Sequence, residues 1–216
     1  MLLSHRLIRA ATVPAILIVA ASRANAQVTG TLAAFVGYYQ PFGHFDPASV
    51  YDTSLPETPE DLRGSAWGGV GHLAFGNRFG VAVQVATTNS RVPESINPGG
   101  VSPQTDAPVF LATVQGQYAI PLAPHARLWL NAGTGFVRHG GTAYARRGTP
   151  ASLAGAFGTT LEVPVAWHLQ LTANATALVY PFDVPMPPNL RLNPGSLQHG
   201  IQEDALLHVG VAWRPR

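Results

Sequence analysis

Residues 205–216, the last twelve of the chain, read ALLHVGVAWRPR, and their alternation decides the fold class. Successive side chains of a β-strand point to opposite faces of the sheet. A soluble antiparallel sheet usually has one apolar face and one plainly polar, solvated face. Here one row is apolar and the other holds small residues and a histidine, so neither row suits contact with bulk water. The apolar row consists of Ala205, Leu207, Val209, Val211 and Trp213.

The same alternation recurs in seven earlier segments, which are bounded by clusters of Pro, Gly, Asn and Asp. This pattern is typical of β-strands. In each segment an apolar row opposes a row of small or uncharged polar residues, as a wall between hydrocarbon and a narrow lumen requires. With the terminal segment, the predicted strands are 28–42, 64–77, 79–92, 108–121, 126–138, 151–165, 168–181 and 203–213.

The connections between these segments alternate in length. Short turns follow the second, fourth and sixth segments, whereas long connections follow the first, third, fifth and seventh. Outer-membrane barrels have short periplasmic turns and longer extracellular loops. We therefore predict an all-β fold, an eight-stranded antiparallel up-and-down transmembrane β-barrel. A soluble sandwich or lipocalin-like barrel is the alternative, but it has no reason to alternate its loop lengths.

Aromatic residues also form two bands along the predicted wall. Such bands are the girdles that barrels place at the two water–lipid boundaries. Near the short turns lie Phe75, Phe79, Tyr118, Trp167 and Trp213, and near the long loops lie Trp67, Phe110 and Phe136.

The first 26 residues have the pattern of a signal peptide. Arg6 and Arg9 precede an apolar stretch of about a dozen residues, and Ala24-Asn25-Ala26 supplies a small-x-small cleavage pattern. The stretch is too short for a membrane-spanning helix, which needs about 20 residues. We predict a cleaved signal peptide over 1–26 and a barrel domain over 27–216 in the bacterial outer membrane.

Composition excludes several classes of function. The chain has no cysteine, so it has no disulfide framework, thiolate metal site or cysteine nucleophile. Its formal net charge is +2, and no run of basic residues is present, so nucleic acid is not an expected partner.

Together these features resemble the small outer-membrane β-barrel family of the OmpA/OmpX type, over essentially the whole mature chain. The resemblance implies that the last strand carries a recognition signal for the barrel assembly machinery, here in Leu207, Val209, Val211 and Trp213. Arg214-Pro215-Arg216 continue past the aromatic residue at which that signal usually ends. We also expect a monomer surrounded by outer-membrane lipids and lipopolysaccharide.

One charged pair falls on the predicted inner wall. Arg127 begins the fifth strand and Glu162 lies near the end of the sixth, so the hairpin between them places both at similar height near the periplasm. A buried charge is costly alone and tolerable when paired. We predict a lumen ion pair between Arg127 and Glu162 that closes the periplasmic end; two independent interfacial charges are the alternative.

Catalytic and cofactor signals are weak. His72, His168 and His208 fall on predicted lumen rows, but no carboxylate is spaced to orient any of them. Residues 69–74, GVGHLA, match a dinucleotide fingerprint without its strand–turn–helix context. We predict no catalytic residue, cofactor or metal, and a non-enzymatic barrel that serves envelope integrity or surface binding through its long loops. A lipid-modifying enzyme and a narrow channel for small solutes are the alternatives.

Cleavage after Ala26 is directly testable. Mass spectrometry of the protein extracted from outer membranes should give a mature chain that starts at Gln27. Recovery of the full yield in the soluble periplasmic extract would contradict both the predicted location and the barrel.

Overall fold

The computed structural model describes residues 28–42, 63–93, 104–141, 151–185 and 197–215. The predicted signal peptide lies outside these residues and stays a prediction. Within them, no helix is long and apolar enough to cross a membrane. The strands are β1 (Val28–Pro41), β2 (Gly64–Phe75), β3 (Phe79–Thr88), β4 (Arg91–Pro93), β5 (Gln104–Asp106), β6 (Val109–Ala123), β7 (Ala126–His139), β8 (Ala151–Ala166), β9 (Leu169–Pro185) and β10 (Leu197–Trp213).

Eight of these strands form a closed barrel in the order β1-β10-β9-β8-β7-β6-β3-β2, and every neighbouring pair is antiparallel. The barrel closes between the first and last strands, from Leu32 opposite Trp213 to Pro41 opposite Asp204. Closure leaves the wall without an unpaired edge. The predicted fold class is confirmed.

The remaining two strands, β4 and β5, form a small separate pair. β4 lies at the end of the predicted strand 79–92, whose barrel part ends at Thr88, and β5 lies in the connection that follows. Arg91 lies opposite Asp106, and its Nε lies 3.4 Å from the Asp106 carboxylate. The short hairpin has too few alternating residues for its pattern to be recognised in the sequence.

Strands β9 and β10 are longer than the predicted segments 168–181 and 203–213. Their pairing continues to Leu197 opposite Pro185, although β8 accompanies β9 only as far as Val179. Proline is tolerated in a strand that has a partner on one side only, because its missing N–H can face the open side. The prolines and polar residues of this extension therefore read as a loop.

Outward and inward rows alternate as predicted. In β3, Val83 is 47% exposed whereas its neighbour Gln84 is 3% exposed. In β1 the outward row is Leu32, Ala34, Val36 and Tyr38, as the sequence predicts. Both aromatic bands are on the outside, from Trp213 and Phe79 at the short-turn end to Trp67 at the long-loop end.

Glycine makes room for bulky inward side chains. A Cβ at Gly68 would lie 2.0 Å from the Val85 carbonyl oxygen and 2.7 Å from Cζ of Phe35. The aromatic ring thus occupies the space that a side chain at position 68 would need. Residues 69–74, the formal nucleotide motif, likewise belong to the wall strand β2.

The phase of the wall can be tested with arginine. Val83→Arg places a charge on the outer face in the middle of β3, and it should cost roughly 2–4 kcal/mol of unfolding free energy in phospholipid vesicles. Leu153→Arg is the matched control, because Leu153 is also exposed but lies near the long-loop end of β8. Its cost should be about 0–1 kcal/mol, as expected near the membrane boundary. If denaturant titration gives the same loss of unfolding free energy for Val83→Arg and Leu153→Arg, Val83 does not face the middle of the lipid layer.

Candidate functional site: the lumen and its two ends

The half of the lumen nearer the long loops is packed with apolar side chains. They come from all eight strands of the barrel and form one buried cluster, the apolar layer. The largest members of the layer, each at most 1% exposed, are Tyr39, Leu111, Leu178, Tyr180 and Leu206.

At the long-loop end, a buried carboxylate joins three strands. The Asp204 carboxylate accepts hydrogen bonds from the Tyr39 hydroxyl, from the Tyr180 hydroxyl at 2.5 Å and from the Gln202 amide at 2.8 Å. His139 Nε2 lies 3.4 Å from the Tyr180 hydroxyl. Bonds to a charged acceptor are stronger than neutral ones, and several donors offset the cost of burying the carboxylate. This cluster ties β1, β9 and β10 together, and its two tyrosines also belong to the apolar layer.

Sequence analysis missed the Asp204 cluster. Glu203-Asp204 stands at the predicted start of the last strand, where charged residues are ordinary. The alternation along the strand could have shown it. Asp204 belongs to the same row as Leu206 and His208, so its side chain points into the lumen.

The middle of the lumen is polar and hydrogen-bonded. The Gln117 amide donates to Asn131 at 2.9 Å, and the Asn131 and Asn174 amides donate to the Thr160 hydroxyl at 2.8 and 2.7 Å. On another part of the wall, Gln84 Nε2 lies 3.0 Å from His208 Nε2. Amide side chains therefore occupy the middle of the lumen at these positions.

Little space remains among these groups. The central cavity measures about 30 Å³. A cavity needs roughly 10–15 Å³ of this measure to hold one water molecule, so the middle of the lumen has room for a few waters at most. A cavity of this size holds neither a nucleotide nor a lipid headgroup.

Glu162 makes its ion-pair contact across the barrel. Its Oε1 lies 3.4 Å from Nδ1 of His72, a residue on the diametrically opposite strand β2. The inference that no carboxylate is spaced to orient a histidine was wrong for His72. Spacing along the chain could not show this contact, because only closure of the barrel brings β2 and β8 face to face.

Arg127 lies directly opposite Glu162 in the β7–β8 register, as the hairpin argument predicts. Its guanidinium carbon lies 5.4 Å from the centroid of the Trp129 ring, within the range of a cation–π contact. A direct ion pair between Arg127 and Glu162 stays a prediction. Both residues border one cavity at the short-turn end of the lumen.

His168 does not lie on a lumen row. The turn between β8 and β9 contains it, and its Nδ1 lies 3.1 Å from the Arg214 carbonyl oxygen. The sequence pattern placed it wrongly because β9 begins one residue later than predicted, at Leu169. In the described part of the chain, no group of three His, Asp or Glu residues is close enough to hold a metal ion.

The four residues of the predicted assembly signal share the outer face of β10. Leu207, Val209, Val211 and Trp213 are each about half exposed, so their row faces away from the lumen. Recognition of this row by the assembly machinery stays a prediction.

Solved structures with the same architecture are outer-membrane proteins. Neisserial surface protein A is 11% identical, with a TM-score of 0.54 over 87% of this chain and 98% of that one. The outer membrane protein OprG from Pseudomonas aeruginosa is 10% identical, with a TM-score of 0.51 over 88% of this chain and 94% of that one. The outer membrane protein AlkL is 14% identical, with a TM-score of 0.52 over 87% and 90%. No protein-family model and no curated protein matches the sequence.

The closed antiparallel wall and these likenesses together define the class of fold. The chain has the fold of the small eight-stranded outer-membrane β-barrels.

The Asp204 cluster can be tested with two adjacent tyrosines. Tyr39→Phe removes a buried donor to the Asp204 carboxylate and should lower the free energy of unfolding by roughly 1–3 kcal/mol. Tyr38→Phe removes the same atom from a side chain that faces outward and is 39% exposed. Its effect should stay within about 0.5 kcal/mol. Denaturant titration in vesicles measures both, and equal losses would mean that Asp204 does not depend on the Tyr39 hydroxyl.

Proposed function

We propose that the mature protein is a closed outer-membrane barrel without enzymatic activity, which supports the envelope and binds partners through its long loops. The observation that carries this proposal is the filled lumen. Apolar side chains and the Asp204 cluster fill the half of the lumen nearer the long loops, hydrogen-bonded polar side chains fill its middle, and the central cavity there measures only about 30 Å³.

The outer wall supports the membrane location. Its exposed side chains are mostly aliphatic, and aromatic residues mark both ends. Lipid-facing barrels need this arrangement, with short turns on the periplasmic side. The long-loop end, with the β4–β5 hairpin and the β9–β10 extension, then lies on the cell surface.

The filled interior argues against transport and catalysis. Eight strands enclose a space just wide enough for side chains or one small ligand, and here side chains take most of it. The side chains of the His139–Tyr180–Asp204 contacts are buried inside the barrel, away from bulk lipid, and the His72–Glu162 contact lies in the lumen with little exposure. Binding is therefore assigned to the loops.

The first long loop favours a positively charged partner. Residues 43–63 contain five acidic residues and one arginine, and the loop connects β1 to β2 at the proposed cell surface. Complementary charge raises the rate of encounter and excludes partners of the wrong sign. A lysine-rich peptide is a suitable probe of this property.

Pure protein reconstituted in planar bilayers should show no large, stable conductance steps. It should also release no fatty acid from phospholipid or lipopolysaccharide. Both results are expected because the packed lumen admits neither a solute stream nor an acyl chain. Porin-sized steps would favour the channel, and acyl release that His139→Ala abolishes would favour the enzyme.

Binding by the first long loop can be tested with a lysine-rich peptide. Replacement of Asp46, Asp52, Glu57, Glu60 and Asp61 by their amides should remove salt-sensitive binding of a lysine-rich peptide to the refolded protein. The control is Glu203→Gln, which neutralises an exposed carboxylate on β10 outside the loop. If the peptide binds equally to the wild type, the five-residue loop variant and Glu203→Gln, or binds to none of them, the acidic loop is not the binding surface.

A further inference from the structure

The short-turn end of the lumen opens into a cavity, which we call the vestibule. It measures about 290 Å³ and is lined by the start of β7, the β6–β7 turn, the ends of β8 and β10 and the start of β9. It lies at the opposite end of the barrel from the long loops. The role proposed for the loops makes no use of it.

The vestibule has an excess of positive charge. Arg127 lines it from β7, Arg214 lines it from the residue directly after β10, and His125 lines it from the turn. Glu162 is the carboxylate of the lining, and its Oε1 makes an ion-pair contact with His72 in the layer above. Among the described residues, the Arg127 guanidinium lies over Trp129 and has no carboxylate oxygen within 4 Å. The lining holds two guanidinium groups and one carboxylate, so a negatively charged ligand would balance the excess positive charge.

Arg214 is held in place by the neighbouring turn. Its backbone N–H donates to the His168 carbonyl oxygen at 2.9 Å, and its own carbonyl oxygen lies 3.1 Å from His168 Nδ1. These two bonds fix the chain immediately after Trp213. The residues past the terminal aromatic, which depart from the pattern of the family that the sequence resembles, thus bring a second arginine to the vestibule.

The remaining lining is rigid and offers a further polar group. Pro121, Pro124 and Pro164 line the cavity, and the proline ring fixes φ at each position. Gln170 Oε1 is buried there without a hydrogen-bond partner among the described residues. A carboxamide can present either its oxygen or its NH₂ group after rotation, so Gln170 can donate to an anion.

We propose that the vestibule binds a phosphate group. Guanidinium groups bind phosphate oxygens through paired, charge-assisted hydrogen bonds, and two arginines from separate strands can contact different oxygens of one phosphate. The volume of about 290 Å³ is at the lower end of small-molecule sites, which span roughly 300–1,000 Å³, so the ligand is small. The phosphate comes from inorganic phosphate in the periplasm or from the headgroup of an anionic phospholipid at the membrane boundary.

Isothermal titration of inorganic phosphate into the refolded mature chain in a zwitterionic detergent tests the site. The wild-type protein should bind with saturation, and Arg127→Gln and Arg214→Gln should each weaken binding about tenfold, the usual loss for one charge-assisted bond. Arg78→Gln is the matched control. Arg78 lies in the β2–β3 turn at the same end of the barrel, but it does not line the vestibule.

A parallel arm identifies the source of the phosphate. Native mass spectrometry of the same proteins with phosphatidylglycerol measures retained lipid. If lipid is retained in an Arg127- and Arg214-dependent way while inorganic phosphate does not bind, the ligand is the headgroup. If neither probe binds, or if Arg78→Gln weakens binding as much as the other two variants, the proposal is overturned.

Folding of each variant is checked by heat-modifiable migration on a gel. Arg214 is exposed and lies beyond the last strand, so Arg214→Gln keeps the test decisive even if Arg127→Gln fails to fold. Arg127→Lys retains the charge but loses the planar fork, and it should bind phosphate with an affinity between those of the wild type and Arg127→Gln.

Discussion

Pairing of the first strand with the last is the constraint on which the rest of this structure depends. In hydrocarbon, every backbone N–H and C=O group must find a partner within the protein, so a sheet can cross a membrane only as a closed barrel. Here β1 and β10 pair over ten residues, from Leu32 opposite Trp213 to Pro41 opposite Asp204. The register of this pair, together with those of the other strand pairs, sets which residues share a height in the lumen.

Closure also creates contacts that no hairpin could make. His72 meets Glu162 across the full width of the barrel, and Gln84 meets His208 between strands that are not neighbours. Because eight strands leave so little interior, each bulky inward side chain must face a small one. Phe35 occupies the space that Gly68 leaves empty, and the same ring stacks on His208 with a centroid distance of 3.8 Å. The wall and the filling of the lumen are therefore parts of one packing solution.

Much of the wall could be predicted from the sequence, because alternation with period two is a local property of each strand. Val83 and Gln84 were assigned to the correct faces, and the hairpin argument placed Arg127 opposite Glu162. The interior partners could not be predicted in the same way, since they depend on how distant strands face each other. His72 was judged to lack a carboxylate, although Glu162 lies across the lumen. The outer ends of β9 and β10 were missed because prolines in a sequence usually indicate a loop. They are compatible with a strand here because this part of β9 pairs with β10 alone, which the sequence does not reveal.

The extension of β9 and β10 beyond the rest of the wall gives the barrel a projecting arm. The last five residue pairs of β9 and β10, from Ile201 opposite Pro181 to Leu197 opposite Pro185, lie beyond Val179, where the pairing of β8 with β9 stops. At about 3.4 Å per residue, the arm adds roughly 17 Å of hydrogen-bonded ribbon. Prolines stiffen one side of it and give no N–H for another chain to pair with, which protects its open edge from sheet-to-sheet aggregation. In the orientation proposed above, the arm extends outward from the membrane on the cell-surface side.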